Sequence, residues 1–392
     1  MTATEDLPTL GSHQPTIGHM NPLMRGLQRQ APICRVRTQV GDEAWLVTRH
    51  AELKELLMDK RIGPTHPDPP NRSRYLDNPM LDLLIVNMDP DAAREGHVQM
   101  RSSLTPHFSA RRMAALRPRV ATRVGELLDK IVDHGPPADL HAELALPLSF
   151  EVLCDLLEVP DRDRYMTLLG VAGAVADDEN PGGTQHPLFG YLTELAIHKR
   201  AHPDDGLISS LCAAGIPDKD VAAMTAMVSI SYQVTPTNIS AGIALFAINT
   251  DQRDLLVGDP ELQQRATEEV LRMSKVGESF VPRYASEDIE IGGVTIRAGD
   301  LILCDHYSAG FDDRVFDDPE RFDITRSPNP HLAFSRGISH CIGAPLARLE
   351  INEVFTGLLS RLPDLRLAIS PDEIPMLSGQ LGGGIAALPV IW

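Results

Sequence analysis

Residues His331–Glu350 read HLAFSRGISHCIGAPLARLE, with one thiol, Cys341, between a glycine-bearing loop and a helix start. After it, Ala347, Ile351, Phe355, Leu358 and Leu362 fall on one helical face. Pro345 stands in the first turn, where a missing N–H removes no helical bond. Cys341 therefore sits just before a helix N-terminus, whose unpaired N–H groups point at its sulfur and favour the thiolate. Gly343 and Gly337 remove side chains where something bulky approaches. Phe334 packs beside the sulfur and excludes water. Such a shielded thiolate facing open space suits an iron ligand. Two other readings stand beside it: a small buried hydrophobe, and a nucleophile with His340 or His306 as base.

The rest of the chain bounds these readings. It has 392 residues, 43% hydrophobic and 23% charged, a globular composition. The net charge of −18 argues against nucleic-acid binding. No stretch of 18 unbroken apolar residues signals a membrane span. The first residues lack the basic and apolar regions of a signal peptide. The five cysteines are odd in number, widely spaced and without a CxxC pair, which argues against disulfides or zinc and for a reducing cytoplasm.

The sequence pattern predicts a mainly α fold with small β-sheets. Ala44–Val47 reads as a strand and the stretch from His50 as a helix, with Ile62–Asn78 a loop. Leu81–Met88 reads as a core strand or as the lip of a pocket, and Asp177–His186 as a loop. Helical spacing dominates from His97 to Ser274, including one long helix from Asp218 to about Asn249. Ile289 and Ile291, a Gly292–Gly293 turn, then Val294 and Ile296 predict a β-hairpin, followed by a strand at Leu301–Cys304. Leu365–Ile369 and Ile385–Ile391 read as closing strands. The small sheets are expected to draw on both ends of the sequence.

The block around Cys341 resembles the haem-binding loop of the cytochrome P-450 family of haem-thiolate monooxygenases. Phe334, Gly337, Cys341, Gly343 and the Leu346–Ala347–Arg348 run carry the likeness, which extends over nearly the whole chain. It implies a single domain over residues 1–392, heme b with Cys341 as the iron ligand, and a small-molecule substrate. It also implies a Glu-x-x-Arg pair, here Glu269 and Arg272, and a third partner, Arg321, in DPERFD; this charge trio would fix the cysteine loop. Cations for the haem propionates would be His97, Arg101 and Arg283. Phe334, Arg336, Ser339, His340 and Gly343 complete the implied cofactor set. Ser339 departs from the usual His or Arg, with His340 or Arg336 as candidate replacements.

The resemblance breaks on the long central helix. The family usually has a glycine, an acid and a threonine there, followed by an asparagine. With Asn238 as that asparagine, Tyr232 replaces the glycine, Val234 replaces the acid and Thr235 keeps the threonine. The register one residue earlier puts Gln233 at the acid; Thr237 is a further hydroxyl of the same stretch. Neither register retains a carboxylate. Pro236 is expected to kink the helix and free the Tyr232 carbonyl. Phe189–Tyr191 and the side-chain-poor Gly382–Gly384 correspond to pocket-lining segments, the latter leaving room for a bulky substrate.

The implied activity is oxidation of a largely apolar natural-product intermediate by a monomer. Electrons would come from NAD(P)H through a ferredoxin reductase and a ferredoxin docking near Arg336, Arg111 and Arg112. Oxidative coupling without oxygen insertion, and a non-catalytic haem sensor, are the rival readings.

Overall fold

The computed structural model describes residues 7–11, 17–76, 90–174, 187–274, 282–377 and 384–392. The expectations for Leu81–Met88 and Asp177–His186 lie outside these residues. Helices α1 (Pro90–Leu104), α2 (Ala110–His134), α3 (Leu146–Leu157), α4 (Asp218–Ile230), α5 (Val234–Ile248), α6 (Gln263–Met273) and α7 (Ala344–Arg361) frame the site. Ser109 caps α2 by accepting a hydrogen bond from the Arg112 N–H. The α2 stripe Met113, Leu116, Val120, Val124, Leu128 and Ile131 is buried, at three- and four-residue steps. α7 packs along α2, and α5 crosses both α6 and α7. Gly242 permits that crossing: a Cβ there would lie 2.3 Å from Phe355 and 2.9 Å from Val270. α5 is apolar on all sides and is buried from Pro236 to Phe246, as a central helix must be.

The expected long helix is interrupted. α4 ends at Ile230, a 3-10 turn covers Ser231–Gln233, and α5 starts afresh at Val234. Pro236 thus falls in the first turn of a helix and not in the middle of one, where its missing N–H has no intrahelical acceptor to lose. Side chains also hold the carbonyls at this start: Thr237 Oγ1 donates to the Gln233 carbonyl at 3.3 Å and Asn238 Nδ2 to the Val234 carbonyl at 3.1 Å.

Among the described residues the strands are, in chain order, β1 (Ile33–Arg37), β2 (Glu43–Val47), β3 (Ile62–Gly63), β4 (Ala138–Asp139), β5 (Pro282–Ala285), β6 (Ile289–Ile291), β7 (Val294–Ile296), β8 (Leu301–Cys304), β9 (Arg366–Leu367) and β10 (Pro389–Ile391). The largest sheet runs β1-β2-β8-β5-β3, with only β2–β8 parallel. A three-stranded sheet runs β4-β10-β9. The β6–β7 hairpin turns on Gly292 and Gly293, both at positive φ. Ile62–Gly63 is an edge strand where the sequence suggested only loop; two residues are too few to leave an alternating pattern. This sheet work sets Arg283 on β5 beside Cys304 at the end of β8.

Candidate active site

The loop before α7 is built on backbone contacts. The Cys341 N–H donates to the Phe334 carbonyl at 2.8 Å. Ser335 and Gly337 both take positive φ. At Gly337 a Cβ would lie 2.9 Å from the Leu57 carbonyl, so glycine is required by contact as well as by φ. Cys341 Sγ opens onto a cavity of about 510 Å³, which Phe334, Thr235 and Arg283 also line. Burial pushes the Cys341 thiol up, while the N–H groups of Gly343 and Ala344 and the charges of Arg101 and Arg348 pull it back toward thiolate. His97 Nε2 lies 3.0 Å from the Ile338 carbonyl, and Arg101 Nη1 donates to the His340 carbonyl at 2.6 Å. Both residues therefore tie α1 to the cysteine loop.

Two charge networks stand behind this loop. Glu269 and Arg272, both buried, form a bidentate pair at 2.7 and 2.8 Å. The third charged partner is Arg326, with Nε 3.3 Å from Glu269, and Asn329 adds a 3.0 Å bond. Arg321 does not take that place. Its side chain is exposed, and only its carbonyl accepts from Arg272, at 3.3 Å. A turn at Asp318, with φ 46°, directs the backbone of Arg321 inward; Arg326, five residues on, then supplies the charge. The second network joins Glu268 to Arg348 at 2.6 and 2.8 Å and to His331 at 2.9 Å. Arg348 also stacks on Phe334, its guanidinium carbon 4.6 Å from the ring centre.

A cytochrome P450 family model matches residues 260–376. Pentalenolactone synthase of Streptomyces exfoliatus is 36% identical, covering 98% of this chain and 99% of that protein. The mycinamicin IV hydroxylase/epoxidase of Micromonospora griseorubida is also 36% identical, covering 93% and 94%. A solved structure, the substrate-free cytochrome P450 described as a polyene macrolide antibiotic pimaricin epoxidase, is 46% identical with a TM-score of 0.92, covering 99% of this chain and 100% of that one. The chain belongs to the cytochrome P450 family. It is a P450 monooxygenase, and the family implies haem-thiolate iron.

The residues present fit that group. Arg283 has no carboxylate partner among the described residues; it donates only to the carbonyl of Pro282, at 3.1 Å. Burial pulls its pKa down, so an anion in the cavity would restore what desolvation costs. His306, beside it, keeps Nε2 buried without a hydrogen-bond partner, and burial with the Arg283 charge brings its pKa to about 4. A Cβ on Gly343 would meet only Cys341 Sγ, at 3.8 Å, leaving a flat approach to the sulfur. Propionates would reach Arg101, Arg283 and His306, and Cys341 would hold the iron of this P450. Burial, then the charges of Arg101, Arg348 and Arg336, lower the pKa of His340, one candidate replacement for the cation missing at Ser339. Arg336 is exposed and outside the cavity lining.

On the distal side, Tyr232, Val234, Thr235 and Asn238 line the cavity. Gln233 and Thr237 do not, because the restarted helix turns them away. Thr237 instead fills the space at Gly384: a Cβ there would be 2.3 Å from Thr237 Cγ2. The expected open room is therefore absent at Gly384, while Gly382 and Gly383 lie outside the described residues. Phe189 and Tyr191 pack into the core and do not line the cavity. Sequence reasoning missed Arg326, the Glu268–Arg348 pair and Glu350. Glu350, seven residues after Gly343, falls on the helix face turned to the cavity. An acid on an otherwise apolar helical face was the available signal.

Proposed function

We propose that this P450 hydroxylates or epoxidises a bulky, largely apolar intermediate of natural-product biosynthesis, with electrons from a ferredoxin and its reductase. The named activities of its relatives support the reaction class. The mostly apolar distal wall, with Met227, Val228 and Tyr232, supports the substrate class. One observation carries the reading: Thr235 presents its side chain to the same cavity as Cys341. Thr235 has no hydrogen-bond partner among the described residues, so its hydroxyl is free to hold a proton or a water at Oγ1. Val234 beside it adds no charge. The haem, when bound, supplies the reductive activation of dioxygen. Cys341 ligates and tunes it, Arg101 and Arg283 orient it, and Phe334 excludes water from the sulfur.

Electron delivery is assigned to the face around the cysteine loop, where Arg111 and Arg336 are exposed. Arg112 contributes less, since its Nη2 is held by the Asp205 carbonyl at 2.6 Å. An acidic ferredoxin fits such a face.

The test begins with the carbon monoxide difference spectrum of the reduced protein. A strongly red-shifted Soret band supports Cys341 ligation, and an unshifted band removes it. Turnover under isotopically labelled dioxygen follows. Label in the product supports oxygen insertion. A product formed without label assigns oxidative coupling, the reading that Val234 at the acid position favours.

A further inference from the structure

Arg348 of α7 spends its guanidinium on the protein itself. Its Nε and Nη2 donate to the two carboxylate oxygens of Glu268 on α6, at 2.6 and 2.8 Å. Its guanidinium carbon lies 4.6 Å from the centre of the Phe334 ring. The Phe334 carbonyl in turn accepts the Cys341 N–H at 2.8 Å. His331 Nε2 meets the Glu268 carboxylate at 2.9 Å, and His331 Nδ1 accepts from the Ala333 N–H at 3.2 Å. α6 thus clamps one guanidinium against the ring beside the sulfur, from two sides of the same loop. The side chains of Arg348 and Glu268 are 35% and 29% exposed, so solvent weakens their fields without cancelling them.

The neighbouring arginines differ. Arg101 faces the propionates when haem is bound, and their charge offsets its own. Arg336 is exposed and outside the cavity lining. The charge of Arg348 is balanced by a carboxylate of the chain, so the protein alone controls what the sulfur feels. That charge already helps to hold Cys341 as thiolate. A docking role would need a guanidinium free to meet an acidic partner, and this one is engaged at its edge and on its face.

We propose that Arg348, clamped by Glu268 against Phe334, sets the reduction potential of the iron held by Cys341. This rests on Cys341 as the ligand. In the step concerned the ferredoxin loses one electron and the haem gains it; no bond forms or breaks and no proton moves. A cation beside the sulfur stabilises the added negative charge, and a carboxylate opposes it. Arg348 therefore raises the potential toward that of the donor, and Glu268 limits the rise.

The experiment is a dye-mediated redox titration of the haem-loaded full chain, without ferredoxin, so that docking does not enter. Arg348→Gln should lower the equilibrium constant for reduction by about tenfold, or about 59 mV for one electron. Arg348→Lys keeps the charge without the fork and should recover part of that loss. Glu268→Gln should move the potential the other way, upward. The reduced carbon monoxide spectrum should stay thiolate-type in every variant. An unchanged potential in Arg348→Gln with that spectrum overturns the proposal. So does a shift of Arg348→Gln and Glu268→Gln in the same direction, the result a loosened loop would give. Should Arg348→Gln fail to take up haem, Glu268→Gln decides by its sign, and anything but a rise overturns the proposal. Absence of the thiolate-type spectrum in the unaltered enzyme would instead refute Cys341 as ligand, which keeps the two failures distinct.

Discussion

Thr235 and Arg283 show how single side chains divide the work of the cavity. Thr235→Ala leaves the wall intact but removes a hydroxyl that has no partner among the described residues. We expect product per NADPH to fall several-fold while substrate-induced spectral shifts persist; an unchanged yield would remove the threonine from the relay. Arg283→Leu removes a half-buried cation that has no carboxylate partner among the described residues. A charge-assisted hydrogen bond is worth about 1.5–3 kcal/mol, so haem transfer to an apoglobin should quicken by about tenfold or more. At this scale Cys341 was legible because its glycines, its aromatic neighbour and the following helix all point to one chemistry. Arg326 was not, since a Pro-x-Arg-Phe string does not reveal that the turn at Asp318 points Arg321 outward.

Between elements, the two charge networks join α6 to the segment that carries the cysteine loop. Removing one member of a buried ion pair costs about 3–5 kcal/mol, chiefly through the partner left uncompensated. Arg326→Ala should therefore lower the melting temperature and haem content, whereas Arg321→Ala should leave both nearly unchanged. Equal effects of the two would overturn the assignment. Glu268 sets a pH limit. Burial alone would raise its pKa, but the bonds from Arg348 and His331 override it and bring the group from 4.5 to about 2. The stability this contributes is complete above pH 4.5 and is lost as pH falls toward 2. Acid titration should release haem in that window, and Glu268→Gln should lose the pH dependence. The break between α4 and α5 was not readable in advance. Proline marks a helix disturbance, but whether the chain kinks or restarts depends on which neighbours hold the freed carbonyls. Here Thr237 and Asn238 bond the neighbouring carbonyls of Gln233 and Val234, at the start of the new helix.

Over the whole molecule, charge and topology act together. A net charge of −18 would repel an acidic electron donor everywhere except where arginines collect. Neutralising Arg111 and Arg336 should slow reduction by ferredoxin and spare haem binding, and added salt should slow reduction of the unaltered enzyme more than that of the variant. Equal salt sensitivity would place the docking face elsewhere. The architecture was legible as helices with small sheets because the change from helical to alternating spacing near Ile289 is abrupt. The sheet order was not, since β2 and β8 lie far apart in sequence and no local pattern records that they pair.

The five thiols carry a practical consequence. Cys34, Cys154, Cys212 and Cys304 are buried, and burial pushes Cys154 to about 12 and Cys304 to about 11. Of the five, Cys341 alone is exposed; it lines the cavity, as does the buried Cys304. A preparation partly loaded with its prosthetic group should therefore take up one alkyl group per empty chain and none per filled chain. The mass spectrum after iodoacetamide treatment would then count occupancy molecule by molecule, independently of any absorbance.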